Sequence, residues 1–428
     1  MIKSITFENF KSFKNKTNIK FNNFNILIGE NGSGKSSILQ ILTLLRQKVG
    51  SNVNPLSSGE MLNIGSFDSL VYDEKKDVVI GYEGVIKLKD VELNYQNLRY
   101  YFEIKFNNKK IHASRFLIEL LNFDKELMTN LKLESGILFD LTKTEDTFPN
   151  SDYIYYDSVS STIDGKIGLS LSYEPEIYVS EFSSAHGNER QKFEKIIKEI
   201  YSEIKQDILN IIYIPSLRSI NQFIYNLKEG SQKTLIDLNF VDQTENLVSS
   251  LEYNREKVNM LSLYLQKILD REIRTKLVPG YKIIVEINNG NKWVNIINEG
   301  FGTNQLIFML YQMILAPKYS LILIEEPEIH LHPSAQLKLI DVIVENVIDN
   351  EKYIILTTHS EHILFRFLEL IIEKKIDNSE LNIFYFERNQ DSNIMQIPVN
   401  EKGHLNGGMK GFMETNLSHV TKFYESLE

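Results

Sequence analysis

The residues with the clearest capacity for chemistry stand near the start of the chain, where residues 29–36 read GENGSGKS. Glycines at three of these positions let the backbone curl so that successive N–H groups face an anion, and a following helix adds the positive end of its dipole. The loop comes directly after the apolar run FNILI, which is the context of phosphate-binding loops of the form GxxxxGK[ST]. The pattern predicts a phosphate-binding loop, and the alternative is a chance glycine-rich turn.

The side chains of this loop have distinct expected roles. Lys35 is expected to reach the β- and γ-phosphates of a bound nucleotide, and Ser36 to offer its hydroxyl to Mg²⁺. A nucleotide and Mg²⁺ are therefore the expected ligands. The residues expected to contact the nucleotide are Asn31, Gly32, Ser33, Gly34, Lys35, Ser36 and Ser37.

A pair of acids forms the second candidate, where the apolar run LILI leads directly into Glu325 and Glu326. Burying carboxylates without compensation is costly, so two successive acids at the end of a buried strand indicate a chemical role. Glu325 is expected to hold Mg²⁺ directly or through water, and Glu326 to polarise the attacking water as general base. The alternative is a solvated loop that begins two residues early.

Three histidines are further candidates. Two of them, His330 and His332, follow the acid pair closely, and the third, His359, follows the next apolar strand. His330 and His332 have a spacing that would suit zinc, but the chain has no Cys and the acid pair is already assigned to Mg²⁺, so we do not favour a zinc site. His359 follows the run YIILT, at the edge where ligands bind in open α/β sheets. We predict that His359 senses the γ-phosphate, and the alternative is a purely structural histidine.

Another glycine-rich segment, EGFGTNQ at residues 299–305, precedes an apolar helix. The N-terminal end of that helix would be formed by Gly300, Gly302 and Thr303, and Thr303 is able to cap the helix. Backbone N–H groups at such an end favour an anion. Many helices begin in a comparable way. This segment is a candidate for anion binding because it lies before the acidic strand.

The elements that must position these residues are strands and helices at both ends of the chain. Buried apolar runs bounded by turn residues predict strands, and apolar faces at helical spacing predict helices. The expected fold class is α/β. The expected elements are strands over 4–12, 17–21, 24–28, 320–324 and 353–357, a β-meander over 67–107, and helices from Lys35, over 192–209, within 235–277 and over 305–315.

Four segments are expected along the chain. Residues 1–107 form an N-terminal lobe with the glycine-rich loop, and residues 108–277 a largely helical insertion that contacts a partner or a second copy. Residues 278–385 form a C-terminal lobe with the remaining motifs, and residues 386–428 a small extension.

Composition narrows the classes of function. The 428 residues suit two or three domains, or one large α/β body with insertions. The absence of Cys excludes a disulfide framework, a thiolate zinc site and a cysteine nucleophile. With no secretory apolar run and no apolar stretch of about 18 residues, a cytoplasmic protein without a membrane segment is expected. The net charge of -10 confines any DNA contact to a local basic patch, for which the candidates are Lys105, Lys109, Lys110 and Arg115.

In order, the segments NILIGENGSGKSS, NEGFGTNQ, LILIEEPEIHLHP and TTHSEH resemble the ABC-type ATPase heads of the SMC, RecF and OLD families, especially their bacterial AAA-labelled relatives. The resemblance implies a P-loop NTPase head, a mixed sheet with an antiparallel flank, that binds ATP with Mg²⁺ and pairs with a second head. It also implies a metal-binding role for Glu325, the catalytic base for Glu326, a D-loop at residues 329–332 and the switch histidine for His359. Gly300, Gly302 and Thr303 would then contact ATP across a homodimer or higher even oligomer.

The sequence departs from a transporter-type head in two motifs, because GFGTNQ replaces LSGGQ and Glu325 replaces the commoner Asp. The distance of 289 positions from Ser36 to Glu325 requires an insertion, and both Gln40 and Gln47 are available as a glutamine-loop residue. No D-x-D cluster follows His359, so the Toprim nuclease of many OLD-type relatives is not expected in this chain.

The function expected from the resemblance is an ATP-hydrolysing dimer that gates a separate effector protein or DNA engagement, in bacterial anti-phage defence. The alternatives are a DNA-repair or chromosome-associated ATPase, and a nucleotide sensor that does not hydrolyse ATP. Glu326 and His359 argue against the sensor, which needs neither. A transporter subunit fits least, given the insertion and the GFGTNQ segment.

Overall fold

The computed structural model describes residues 1–50, 67–87, 97–106, 202–227 and 243–407, apart from residues 219, 221, 291 and 389. Between residues 110 and 180 it describes the backbone of five strands. The chain divides into two compact units. Unit 1 comprises Met1–Phe21, Gln40–Ile211 and Gln390–Ser392, and unit 2 comprises Asn22–Leu39, Ile212–Asn389 and Asn393–Glu428.

The described strands and helices are numbered in chain order. The strands are β1 (Ile2–Glu8), β2 (Thr17–Lys20), β3 (Phe24–Gly29), β4 (Val78–Lys87), β5 (Asn97–Phe106), β6 (Lys110–Leu121), β7 (Leu127–Asp140), β8 (Ile154–Asp157), β9 (Lys166–Leu169), β10 (Ile177–Ser180), β11 (Ile211–Ile214), β12 (Tyr225–Asn226), β13 (Glu272–Val278), β14 (Lys282–Asn288), β15 (Trp293–Asn295), β16 (Leu321–Glu325), β17 (Tyr353–Thr358), β18 (Leu381–Arg388) and β19 (Ser392–Ile397). The helices are α1 (Lys35–Gly50), α2 (202–209), α3 (Gln243–Tyr253), α4 (Arg255–Leu269), α5 (Phe301–Leu315), α6 (Pro333–Asp349) and α7 (Glu361–Ile372).

Unit 1 is built on a six-stranded antiparallel sheet with the strand order β2, β1, β4, β5, β6, β7. Side chains of β1 alternate across the sheet, and its inward residues Ile5 and Phe7 are fully buried. Phe7 packs edge-on against Phe13 with 5.1 Å between ring centroids. The antiparallel flank predicted for the head is confirmed.

The expectation of a largely helical insertion is wrong for the described residues between 110 and 180. These form strands β6 to β10, and β6 and β7 pair along almost their whole length as antiparallel neighbours. The mixed periodicity of this stretch does not distinguish strand from helix, and the pairing between strands, which favours strand here, is not visible in the local sequence. Helix is confirmed further on, in α2, α3 and α4, but the block expected to reach Leu277 gives way to strand β13.

Unit 2 is built on a sheet with the order β11, β16, β17, β3, β18, β19. The four central strands β16, β17, β3 and β18 are parallel neighbours. Every residue of β3 is buried, as expected of a strand covered on both faces. The carboxyl ends of the parallel strands therefore meet at one edge, where open α/β sheets bind ligands.

The hydrophobic core of unit 2 joins this sheet to its helices. Leu310 of α5, Ile340 of α6 and Phe367 of α7 belong to the same buried cluster as the strand residues Ile26 and Ile324. A smaller antiparallel sheet of β13, β14 and β15, with β12 beside β14, completes the unit. Within the described part of the chain, no helix combines the length and apolar character needed to cross a bilayer.

Candidate functional site

The glycine-rich loop leaves the carboxyl end of β3 and leads into α1. Gly29 has a φ of +144°, and a Cβ on it would lie 2.1 Å from the carbonyl oxygen of Phe386 on β18. Gly32 and Gly34 have φ values of 72° and 100°, which side chains rarely permit. The three glycines are therefore required by the backbone path of the loop.

Lys35, the first residue of α1, folds its ammonium group back onto the loop. Its Nζ donates to the carbonyl oxygens of Gly29 at 2.8 Å and Glu30 at 2.7 Å. Burial lowers the pKa of Lys35 to about 8, although Glu326 and other acids oppose the shift. A buried, still cationic group thus lies inside the loop.

The hydroxyl groups of the loop have contrasting surroundings. Ser33 is fully buried, and its Oγ has no hydrogen-bond partner within the described part of the chain. Asn31 and Ser36 are exposed, while Ser37 is buried in the first turn of α1. An unsatisfied buried hydroxyl inside a curled backbone is one of the rare cases that call for an explanation, and a bound anion provides one.

The acid pair lies at the carboxyl end of β16, beside β17, with Glu325 in register with Thr357. Glu326 has a φ of +44°, which is uncommon for a residue with a side chain. Its backbone N–H donates to the carbonyl oxygen of Thr357 at 3.0 Å. The chain therefore turns sharply between the two acids, a local constraint of the kind found at functional sites.

His359 follows β17 and faces the second acid. Its Nε2 lies 3.7 Å from Oε1 of Glu326. Burial, and then the positive charge of Lys35, lower the pKa of His359 below its ordinary value, although Glu326 opposes them. The imidazole is therefore neutral at pH 7 and able to donate or accept a proton. The structure brings together Lys35, Glu326 and His359, three of the residues that the sequence offered as site candidates.

Two residues that sequence reasoning missed support the acid pair from the β11 side. Tyr213 on β11 donates a hydrogen bond to the carboxylate of Glu325, and burial is the main cause that raises the pKa of Tyr213. Arg218, which is only 4% exposed, donates from Nη1 to the carbonyl oxygen of Glu325 at 2.8 Å and from Nη2 to that of Glu326 at 3.3 Å. The available signal was the apolar run IIYI leading into a lone Arg, which is too common to identify a role.

Glu328 is the third missed residue. Its Oε1 accepts hydrogen bonds from Oγ1 of Thr358 at 2.6 Å and from the backbone N–H of His359 at 2.7 Å. Burial raises the pKa of Glu328, although these two hydrogen bonds oppose the shift. It stands two residues after the acid pair, so the motif contained it, but nothing in the sequence indicated its partners.

The GFGTNQ segment forms the start of α5, which begins at Phe301 and not at Gln305 as expected. Gly300 is the residue before the helix, and Thr303 lies inside its first turn, so Thr303 is not the cap. Gly300 is exposed and has open space around it, whereas a Cβ on Gly302 would lie 2.3 Å from the carbonyl oxygen of His330. Of the three predicted contact residues, Gly302 is thus buried against its own chain.

This contact makes Gly302 a packing position with a measurable effect on stability. Gly302→Ala is expected to lower the free energy of unfolding by ~1–3 kcal/mol, the usual range for an overpacked site. Gly300→Ser is the control and is expected to stay within ~0.5 kcal/mol of the parent, because Ser suits the position before a helix. Urea unfolding followed by circular dichroism measures both. Equal midpoints would contradict the close approach of the two backbones.

The two histidines of the HxH pair make separate contacts. The ring of His330 packs edge-on against Phe301, and Nδ1 of His332 accepts from the backbone N–H of Ser334 as the cap of α6. Among the residues that the structure describes, no group of three or more His, Asp or Glu side chains is arranged to hold a metal ion.

The two candidate glutamine-loop residues, Gln40 and Gln47, both lie within α1. Gln47 is buried, and the side-chain oxygen of Gln40 accepts a hydrogen bond from Nζ of Lys11.

A parallel sheet that delivers a phosphate-type loop and a carboxylate pair to one edge defines the class of P-loop ATPases. The chain belongs to the AAA ATPase domain family, whose sequence model matches residues 1–364. The predicted P-loop fold is thereby confirmed.

Several known proteins are similar to this chain. An ATP/GTP phosphatase of Helicobacter pylori is 23% identical to this chain over 389 residues, which make up 88% of this chain and 89% of that protein. An SMC head crystallised with the C-winged helix domain of ScpA superposes with a TM-score of 0.48 at 14% identity, over 94% of this chain and 98% of that one. An SMC head domain from Thermotoga maritima gives a TM-score of 0.40 at 12% identity, over 93% and 99% of the two chains.

Proposed function

We propose that this ATPase hydrolyses ATP at the edge of the unit 2 sheet, with Glu326 as general base and His359 as switch histidine. The observation that carries the proposal is the 3.7 Å separation between Nε2 of His359 and Oε1 of Glu326, close to the ammonium group of Lys35. A sensor without hydrolysis needs no base paired with a neutral histidine. This pair therefore favours turnover over the sensor alternative.

The loop and the acid pair fit ATP with Mg²⁺. The Oγ of Ser33, which has no hydrogen-bond partner among the described residues, and the inward ammonium group of Lys35 suit a polyphosphate. Mg²⁺ is commonly held by one or two protein ligands, with phosphate oxygens and water completing its shell, so Ser36 and Glu325 suffice. Tyr213 orients the Glu325 carboxylate through their hydrogen bond, as outer partners of metal ligands do.

The residues divide the reaction among them. When bound, Mg²⁺ neutralises charge on the phosphates. Lys35 shifts its ammonium from the loop carbonyls towards the phosphates and stabilises their charge. Glu326 accepts the proton of the attacking water, and His359 orients that water or the terminal phosphate from the other side. Arg218 donates hydrogen bonds to the backbone carbonyl oxygens of Glu325 and Glu326 and so fixes the backbone that carries the two acids.

We further propose that a second copy of the chain closes over the nucleotide through the start of α5. Gly300, Phe301 and Thr303 form this end of the helix, and Phe301 is 54% exposed although it is a large apolar residue. Ile297, just before it, is 39% exposed. An exposed apolar pair next to backbone N–H groups suits a partner surface that carries a bound nucleotide.

Assembly is tested with Glu326→Gln, which should retain ATP. Light scattering after size exclusion is expected to show a monomer with ADP and an even oligomer with ATP and Mg²⁺. Phe301→Asp in the same background is expected to abolish the shift while nucleotide binding persists, because a charge at the contact opposes burial. Tyr281→Asp, at an aromatic residue that is 76% exposed, is the matched control. Assembly unaffected by Phe301→Asp would rule out this surface.

The biological output is proposed to depend on a separate effector protein, in anti-phage defence, with no nuclease in this chain. The support is chemical, since two-metal cleavage needs carboxylates beyond the pair assigned to ATP. A DNA-repair or chromosome-associated role is the alternative. Proteins and nucleic acid that co-purify with Glu326→Gln decide between the two.

Three residues of the basic patch suggested for DNA lie on strands β5 and β6. Lys105 on β5 is in register with His112 on β6, and Arg115 on β6 is in register with Glu103 on β5. Lys110 is the first residue of β6, and Lys109 lies outside the described residues.

A further inference from the structure

Glu328 belongs to the short segment 327–332, which joins β16 to α6. One carboxylate oxygen, Oε1, accepts both the hydroxyl of Thr358 and the backbone N–H of His359, at 2.6 and 2.7 Å. The other oxygen, Oε2, is buried and has no hydrogen-bond partner within the described residues. Glu328 thus uses one oxygen, Oε1, as the acceptor for both donors.

The bonded N–H is that of His359 itself, so Glu328 fixes the backbone from which the imidazole extends. Thr358 reinforces this arrangement, since its Oγ1 also accepts the backbone N–H of Ser360 at 2.9 Å. Ser360 in turn caps α7 by accepting the N–H of Ile363. The turn between β17 and α7 is therefore organised around the Glu328 carboxylate and the Thr358 hydroxyl.

A second bridge joins the same two segments. Gln336 of α6 accepts a hydrogen bond from Oγ of Ser360 at 2.5 Å and donates to the carbonyl oxygen of Leu331 at 2.9 Å. Segment 327–332 also meets the start of α5, where the carbonyl oxygen of His330 approaches Gly302. A continuous set of contacts thus links the start of α5, segment 327–332 and His359 within unit 2.

We propose that Glu328 is a positioning residue for hydrolysis, which holds His359 against Glu326 and makes its position depend on segment 327–332. This inference rests on the proposed function. The inference requires that Glu328 positions His359 as a hydrogen-bond acceptor, whatever its charge contributes to the neighbouring Arg218 and Lys35. An amide at this position keeps an acceptor oxygen, whereas a methyl group does not.

The test compares steady-state ATP hydrolysis by Glu328→Ala and Glu328→Gln. Glu328→Ala is expected to lower kcat by ~10²-fold with KM nearly unchanged, the scale of a misplaced catalytic group. Glu328→Gln is expected to regain most of that rate. Equal loss in both variants would overturn the inference, because it would show that the negative charge of Glu328 is what matters.

A double-mutant cycle separates positioning from a general loss of structure. Adding Glu328→Ala to His359→Ala is expected to cost no further rate, because the group that Glu328 positions is already gone. Multiplicative losses would overturn the inference. If Glu328→Ala does not fold, Thr358→Val takes its place in the cycle, since it removes a donor to the same oxygen at similar volume. Absence of ATP hydrolysis in the parent protein would instead refute the proposed function.

Discussion

Glu326→Gln is expected to slow ATP hydrolysis by ~10²-fold or more while ATP affinity is retained, the usual scale for removing a positioned base. The amide keeps the size of the side chain and the sharp turn at φ +44°, but it cannot take a proton from water. It also removes the charge that supports protonation of His359, so the pKa of His359 falls further. Phosphate release at saturating ATP and nucleotide titration measure the two effects separately.

A surface acid provides the control for this charge change. Glu272 is exposed at the start of β13, and Glu272→Gln removes the same charge from unit 2. It is expected to hydrolyse ATP at the parent rate. A Glu326→Gln protein that kept more than about a tenth of the parent rate would remove Glu326 from the role of base.

Lys35→Met is expected to weaken ATP binding by ~10²-fold or more, because charge-assisted hydrogen bonds contribute about 1.5–3 kcal/mol each. Methionine keeps most of the buried stem, so the loss reports on the ammonium group and not on a cavity. Titration with a fluorescent ATP analogue measures the affinity. Lys318→Met is the control, since Lys318 is exposed and pairs at 3.7 Å with Glu351, which is also exposed.

The pH dependence gives an independent check on Lys35. Its pKa of about 8 in the free protein means that the ammonium form, which binds phosphate, is lost as the pH rises above 8. ATP affinity of the parent protein is therefore expected to fall above pH 8, and that of Lys35→Met to change much less. A parallel decline in both proteins would assign the effect to other groups.

In the structure, Lys35, Glu326 and His359 lie together at the carboxyl edge of the unit 2 sheet. Each of them belongs to a local unit, an apolar strand followed directly by a turn, and such units are visible in a single stretch of sequence. Parallel strands align their carboxyl ends, so the three side chains had to meet at one edge. Their roles in hydrolysis remain predictions for the experiments above.

Features that depend on pairing and packing partners were not visible in this way. Strands β6 to β10 were expected to be mostly helical, because the mixed periodicity of this stretch does not show the pairing between strands. Gly302 was expected to contact ATP, yet the carbonyl group that confines it belongs to His330.

What the sequence alone determined is therefore the class of the protein and which of its residues are candidates for the site. Only the tertiary structure decided what holds those residues in place. Arg218 reaches the carbonyl groups of Glu325 and Glu326 across more than a hundred positions, and Glu328 reaches the N–H of His359 across thirty-one. A buried polar group needs a hydrogen-bond partner, and the fold can supply that partner from any part of the chain. The local sequence therefore does not show which residue the partner will be.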